Sequence, residues 1–390
     1  MSRRDLRVAG ELQLAQPPPL SPLAQKIADT RRRDAHEKGT LACGGARLTY
    51  LRRNRHAALE PVAFTSHEDA KEVRVMNRRA LLRSVFYSAT AAGLAVTKGV
   101  DASAARPRGA DAKTRTRFEP FVETRDGARL FYREWGAGEP AVFVHSWAVN
   151  ADLWQYQMVH LSDQGVRCIA YDQRGHGRSS DPGAGFDYDT LSDDLAAVME
   201  RARVRGATLV GHSMGCGVIA RYLTRHRSDR VVRVALVSPT LPFLLKTEDN
   251  PQGLDRKALE RLRGVFSTDF PGWLADNARP FFSPETSAAM VDWGIGLCRQ
   301  ASLRALIDCN RADFETDFRG ELPRLTVPTL IVHGDKDVSA PIDLTGRKTA
   351  QLIPGSRLLV YEGAPHGLMF THKDRLNTDL LAFMAEARSR

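Results

Sequence analysis

Cysteine is scarce, five in 390 residues, and none stands in a CxxC pair or in the Cys/His spacing of a zinc site. A disulfide framework and a structural metal are thereby excluded as sources of stability. Cys43 falls near the N-terminus, while Cys168 and Cys216 lie in runs that read as a buried strand and a buried helix. Cys298 and Cys309 stand three helical turns apart, too far to bridge within one straight helix. Apolar runs are short as well: none reaches the ~18 residues that a membrane span requires, so no stable membrane anchor is expected. Excess charge is missing from the body of the chain. The formal net charge is +10, but residues 1–104 hold 18 Lys and Arg against 10 Asp and Glu, leaving 38 against 36 for the remainder. That balance provides no field to steer the protein toward phosphates, and no nucleic-acid partner is expected.

The basic leader divides in two. From Met76 the chain reads MNRRALLRSVFYSATAAGLAVTKGVDASAA. Paired Arg78 and Arg79, a weakly apolar stretch from Val85 to Val96 and the small-residue site Ala102-Ser103-Ala104 form the three-part pattern of an export signal, and the arginine pair resembles the twin-arginine type. Residues 1–75 carry PPP and RRR runs, lack hydrophobic periodicity, and would place that signal in mid-chain, where export machinery does not look. They are expected to be a disordered, non-native extension upstream of a true start at Met76. The remaining domain, 105–390, is expected to be exported to the periplasm or secreted if the signal at 76–104 is used, and cytoplasmic otherwise.

From Phe118 onward strands alternate with helices. FVETRDGARLFYREWG reads as a hairpin turning at Asp126-Gly127. Short apolar runs follow at 141–146, 167–172, 207–213, 233–238, 329–334 and 357–363, most of them separated by helical patterns such as YDTLSDDLAAVMERARV. Continuous apolar strands spaced by helices argue for a parallel sheet covered on both faces. The gap from about 241 to 325 is too long for one crossover and reads as a helical lid inserted over the C-terminal edge of the sheet.

Within this pattern, LVGHSMGCGV places Ser213 between the strand ATLVGHS and the helix MGCGVIARYL. A serine on a sharp turn from strand to helix exposes its hydroxyl at the sheet edge, with Gly211 and Gly215 letting backbone pass close by. Such a serine needs a base, and the base an acid to orient it, in the chain order Ser, Asp, His. HGDKDVSAP supplies Asp335 and Asp337 after the strand 329–334, and GAPHG supplies His366 after the strand 357–363. Asp337 is preferred because the GxxDxxxP spacing is the usual placement in this fold, with Asp335 the second candidate. His145, His176, His212 and His333 flank the wrong strand ends and read as structural, and His372 reads as part of a helix. The oxyanion requires two backbone donors: the N–H of Met214, directly after the serine, and the N–H of Trp147 in the loop after the strand 141–146. The Trp147 indole would then form pocket wall, or pack under the lid.

These stretches, together with DGARLFYREWG, ADLWQYQM, AYDQRGHGRSS, DFETDFRGELPRLTVPTLIVHGDKD and APHG, resemble the α/β-hydrolase superfamily from about Phe118 to Met384, and within it the cofactor-free haloperoxidase and aryl esterase group. The resemblance implies an α/β fold with a mostly parallel eight-stranded sheet, helices on both faces and an inserted lid at about 241–325. It also implies a triad of Ser213, Asp337 and His366 that works without metal, haem or other cofactor. Halogenation in that group is a side reaction, in which peroxide attacks an acyl-serine and the released peracid oxidises halide. Two positions depart from the group's pattern: Ser146 stands where it has glycine, and Cys216 interrupts a run of glycines. The lid carries Phe266, Phe270, Trp273, Phe281, Phe282 and Trp293, and the expected pocket walls are Trp147, Phe281, Phe282 and Trp293. No cationic cluster marks a carboxylate or phosphate site.

Three functions follow. The first is a serine hydrolase acting on a small neutral ester, lactone or carboxylic acid. The second is a cofactor-free haloperoxidase or perhydrolase using hydrogen peroxide. The third is a non-catalytic ligand-binding protein on the same scaffold, disfavoured because no triad member is missing. A homo-oligomer is compatible with all three. The division of the leader is tested by the N-terminus of the protein from its native source, expected at Ala105 in exported material and at Met76 in the precursor. A peptide from residues 1–75 in that protein would overturn it.

Overall fold

The computed structural model describes residues 40–43, 46–49, 119–226 and 229–386. The chain divides into two compact units, Met1–Arg108 and Gly109–Arg390. In the first, Thr40–Cys43 and Ala46–Thr49 pair as an antiparallel hairpin, regular structure within a segment expected to be disordered. The signal expected at 76–104 lies outside the described residues.

The second unit begins with Phe121–Glu123 (β1) and Arg129–Trp135 (β2), paired antiparallel about a turn in which Gly127 takes a φ of 82°. Six strands follow: Glu139–Val144 (β3), Val166–Tyr171 (β4), Ala207–His212 (β5), Val231–Val237 (β6), Thr329–Gly334 (β7) and Arg357–Tyr361 (β8). β5 and β7 are buried along their whole length, which is why they read as unbroken apolar runs rather than as alternating ones. The sheet order is β1-β2-β4-β3-β5-β6-β7-β8. β3 to β8 run parallel, and β2 joins β4 antiparallel.

Three helices cover the first half of this sheet: Gln155–Asp163 (α1), Tyr188–Arg201 (α2) and Met214–Arg225 (α3). Between β6 and β7 the chain forms Arg256–Asn277 (α4), Ala288–Cys298 (α5) and Leu303–Glu315 (α6). Gly346–Leu352 (α7), Leu368–Thr371 (α8) and Lys373–Ala385 (α9) complete the unit. The inserted helices start where short polar side chains accept the N–H three residues on: Asp255 from Ala258, Ser287 from Met290 and Ser302 from Ala305. α4 bends at Asp269 (φ −155°, ψ 75°), ahead of Pro271, whose ring cannot continue the helical ladder. The cap at Ser302 also separates Cys298 on α5 from Cys309 on α6, so the two do not share one helix as expected. Cys168, Cys216, Cys298 and Cys309 are all free thiols.

The pleat of the strands divides the core between two faces of the sheet. Val142, Val144 and Leu209 pack with Leu195 and Val198 of α2 and Ile219 of α3. Ala141, Phe143 and Val210 pack with Met158 and Leu161 of α1 and Leu380 and Phe383 of α9. The order of strands reverses direction at β3, which has β4 on one side and β5 on the other. A crevice opens at the carboxyl ends of strands at such a reversal, and α/β sheets place their ligands there. Among the described residues no helix is long and apolar enough to cross a membrane.

Candidate active site

Four loops meet at the carboxyl ends of β3, β5, β7 and β8. The tightest follows β5. Ser213 stands between the end of β5 and the start of α3 with φ 53° and ψ −119°, a left-handed backbone that costs a non-glycine residue about 1–3 kcal/mol and persists only where its surroundings impose it. Those surroundings are backbone. A Cβ on Gly215 would lie 2.6 Å from the Val144 carbonyl oxygen and 2.7 Å from that of His145, so only glycine lets α3 approach the end of β3. A Cβ on Gly211 would lie 2.9 Å from the Gly215 carbonyl oxygen. The Ser213 N–H donates to the Val237 carbonyl at 3.0 Å, tying the turn to β6. Cys216, on the first turn of α3, is fully buried with its thiol 3.7 Å from the Val237 carbonyl oxygen. It packs in the core, away from the cavity on which Ser213 opens.

Asp337 and His366 arrive on the loops after β7 and β8. His366 Nδ1 donates to Asp337 Oδ2 at 2.6 Å, and Ser339 and Ala340 donate their backbone N–H groups to Oδ1 at 2.9 and 2.7 Å. Burial pushes the Asp337 carboxyl up, but His366 and the N–H of His333 outweigh it and hold the group well below the usual carboxylate range. With Nδ1 of His366 committed to this carboxylate, Nε2 is left to accept a proton. Asp335, the second candidate, does different work: its Oδ1 accepts the Gly363 N–H at 2.7 Å and closes the turn after β8.

Two histidines read as structural are in contact with this pair. His333 Nε2 lies 3.2 Å from Asp337 Oδ2 and donates to the Ala340 carbonyl at 2.8 Å, fixing the loop that carries the acid. His212 donates through Nε2 to the His366 carbonyl at 3.1 Å, its ring centroid 4.6 Å from that of His366. Burial and His366 push its pKa well below the ordinary value, so it braces the loop without adding charge. His372 stands at the junction between α8 and α9 instead of lying within a helix.

The loop after β3 holds the other side of the crevice. His145 Nε2 accepts the Gln173 N–H at 2.8 Å, which leaves Nδ1 to donate to the Ser146 carbonyl at 2.7 Å. Burial lowers the His145 pKa to about 3, so the ring keeps this neutral tautomer. A trans peptide points its N–H opposite its carbonyl; pinning the Ser146 carbonyl to His145 therefore sets the direction of the Trp147 N–H. Ser146 requires no left-handed backbone, because the positive φ in this loop falls at Ala148, at 67°, so a side chain is accommodated at a position where glycine was expected. Behind the loop, Asp172 accepts the Ala151 N–H at 2.8 Å and pairs with Arg178 at 2.7 Å. Burial pushes the Asp172 carboxyl up, and Arg178 overcomes this and holds it down. Met214 is fully buried at the head of α3, where the first N–H groups of a helix have no intrahelical acceptor.

These loops and the inserted helices enclose a cavity of about 270 Å³ whose lining includes Ser213, His366, Trp147, Phe281 and Phe282. The Trp147 indole donates to the Leu306 carbonyl at 2.7 Å and its ring lies 5.3 Å from that of Phe266, so it both walls the cavity and ties the sheet to α6 and α4. Trp293 is not part of the lining. Gly294, Ile295 and Cys298 turn that face of α5 inward, and Trp293 points to Tyr156 and Phe370, at ring distances of 6.1 and 5.4 Å. Thr240, Asn310 and Asp313 also line the cavity, and none was anticipated. Asp313 sits in the charged run NRADFETDFRGEL. The signal was helical spacing, since Leu306, Cys309 and Asp313 share one buried face of α6. Among the described residues no group of His, Cys, Asp and Glu is arranged to hold a metal ion.

Residues 140–373 match the family described as alpha/beta hydrolase fold. The chain is 39% identical over 272 residues to a non-heme chloroperoxidase from Kitasatospora aureofaciens, covering 68% of this chain and 99% of the relative. It is 37% identical over 280 residues to a bifunctional esterase/perhydrolase from Acinetobacter calcoaceticus, with 68% and 99% covered. Among solved structures, a bromoperoxidase from Bacillus anthracis superposes with a TM-score of 0.66 at 34% identity, covering 68% of this chain and 99% of that one.

The two neighbouring aspartates are separable by substitution. Asp337→Asn should lower turnover of an activated ester by roughly 10⁴-fold, because an amide favours the wrong imidazole tautomer, while Asp335→Asn should stay near wild type. Steady-state kinetics of the two variants check this, and the reverse ranking would move the acid to Asp335.

Proposed function

The chain belongs to the α/β-hydrolase fold family, and on that premise we propose that it cleaves small carboxylic esters or lactones through an acyl-serine intermediate, with Ser213 as nucleophile. The observation that carries this reading is a serine held at φ 53° on the wall of the same cavity as an imidazole whose far nitrogen is 2.6 Å from a buried carboxylate. His366 takes the proton from Ser213 Oγ as it attacks the ester carbonyl, and Asp337 holds the ring and stabilises its charged form. The N–H groups of Trp147 and Met214 receive the developing oxyanion, the first directed by the His145 clamp on Ser146 and the second by its place at the head of α3. His366 then returns the proton to the leaving alcohol. Water, activated by the same histidine, releases the acid and restores the serine. The largely apolar cavity suits an acyl chain that is mostly hydrocarbon.

A second reading is favoured by the relatives named chloroperoxidase and esterase/perhydrolase. Hydrogen peroxide in place of water at the acyl-serine would release a peracid and the free serine, with no change in the residues used. Bromination that depends on both peroxide and an added carboxylate distinguishes it from hydrolysis alone.

Hydrolysis of p-nitrophenyl acetate by the wild type beside Ser213→Ala tests the nucleophile. Loss of the serine in such a triad costs on the order of 10⁶ in turnover, so the variant should fall to the uncatalysed background. A variant as active as its parent would remove Ser213 from the mechanism.

A further inference from the structure

Asp313 is the single acidic side chain in the lining of the cavity, only 7% exposed; no Lys or Arg among the described residues forms a salt bridge with it, and His366 on the same lining acts on it through space. Its two hydrogen bonds converge on one oxygen: Tyr188 donates its hydroxyl to Oδ1 at 2.8 Å and Thr240 donates to the same atom at 2.7 Å. A carboxylate has about four acceptor positions on its two oxygens, so Oδ2 keeps its capacity for a ligand. Burial raises the group to about 6, with Thr240, Tyr188 and, more weakly, His366 opposing the rise. Burying a carboxylate without a cation is costly unless its acceptors are filled, and here the residue lines the space that a substrate must occupy. The arrangement needs room, which Gly217 provides: a Cβ there would lie 2.6 Å from the Tyr188 ring.

We propose that Asp313 is a specificity-determining residue that selects esters whose acyl chain carries a hydrogen-bond donor, a hydroxyl or an ammonium group. This rests on the reading of Ser213 as the nucleophile that the acyl group joins. The donor bonds to Oδ2 while the rest of the acyl chain lies against apolar walls such as Phe266 and Ile295. A site built to satisfy such a group discriminates more sharply than an apolar one, because a substrate without the donor leaves the buried acceptor unpaired.

The test uses the full chain and a homologous series of p-nitrophenyl alkanoates, each beside its ω-hydroxy and ω-amino counterpart. The readout is the ratio of kcat/KM for the donor-bearing ester to that for the plain one, which cancels any general loss of activity or of folded protein. At the best-matched chain length this ratio should be about tenfold higher in wild type than in Asp313→Leu. Asp313→Asn keeps an oxygen for Tyr188 and Thr240 and places an NH2 where Oδ2 stood; that group donates to a hydroxyl oxygen but not to an ammonium, so the variant should retain preference for the hydroxyl and lose preference for the ammonium. Ratios unchanged from wild type in both variants overturn the proposal and leave Asp313 a structural tie between α6, α2 and the loop after β6. Ser213→Ala, run in parallel, separates the two levels: if it hydrolyses the plain esters at the wild-type rate, the reading of the nucleophile fails whatever the ratios are.

Discussion

Ser213 can hold a left-handed backbone only because β3, β5 and β6 are already fixed around it. The strain at φ 53° is imposed by the Gly215 contact with the end of β3 and by the hydrogen bond from the Ser213 N–H to Val237. Those partners are strands in the middle of an eight-stranded sheet with packed layers on both faces. The rigidity of the core is therefore what makes the turn affordable. The same geometry aims the hydroxyl out of the sheet edge and sets the first N–H groups of α3 beside it.

Electrostatics around the acid and base follow a consistent pattern. Asp337 is held ionised by two backbone N–H groups and the His366 imidazole, with the edge of the His333 ring 3.2 Å away. Burial keeps two nearby histidines, His145 and His212, neutral. Through their hydrogen bonds to Ser146, Ala340 and His366, the rings of His145, His333 and His212 hold the loops after β3, β7 and β8. Positioning of this kind makes a reactive geometry permanent and avoids assembling it at each turnover.

Much of this was legible in the sequence because it rests on local rules. Unbroken apolar runs identified β3 to β8, the Asp126-Gly127 turn identified the hairpin, and the junction of strand and helix at Ser213 located the serine before any partner was known. The structure brings Asp337 and His366 together as their order along the chain implied. What escaped depended on facing directions. Trp293 is one position out of phase with the inward face of α5. His333 and His212 touch the acid and base through loops that fold back on them. Asp313 was hidden in a run of charges, although its spacing from Leu306 and Cys309 placed it on the buried side of α6. The Ser302 cap between Cys298 and Cys309 was likewise present in the sequence, but its effect in ending one helix and starting another overrode the periodicity that joined them.

The account stands or falls on whether the Ser213 hydroxyl forms a covalent bond with an acyl-like electrophile. Incubation with a fluorophosphonate, followed by peptide mapping by mass spectrometry, reads this atom directly. The prediction is a single adduct on the peptide containing Gly211 to Gly217, located on Ser213, that appears in step with loss of ester hydrolysis. An adduct on another residue, or undiminished hydrolysis by protein fully labelled at Ser213, would contradict it.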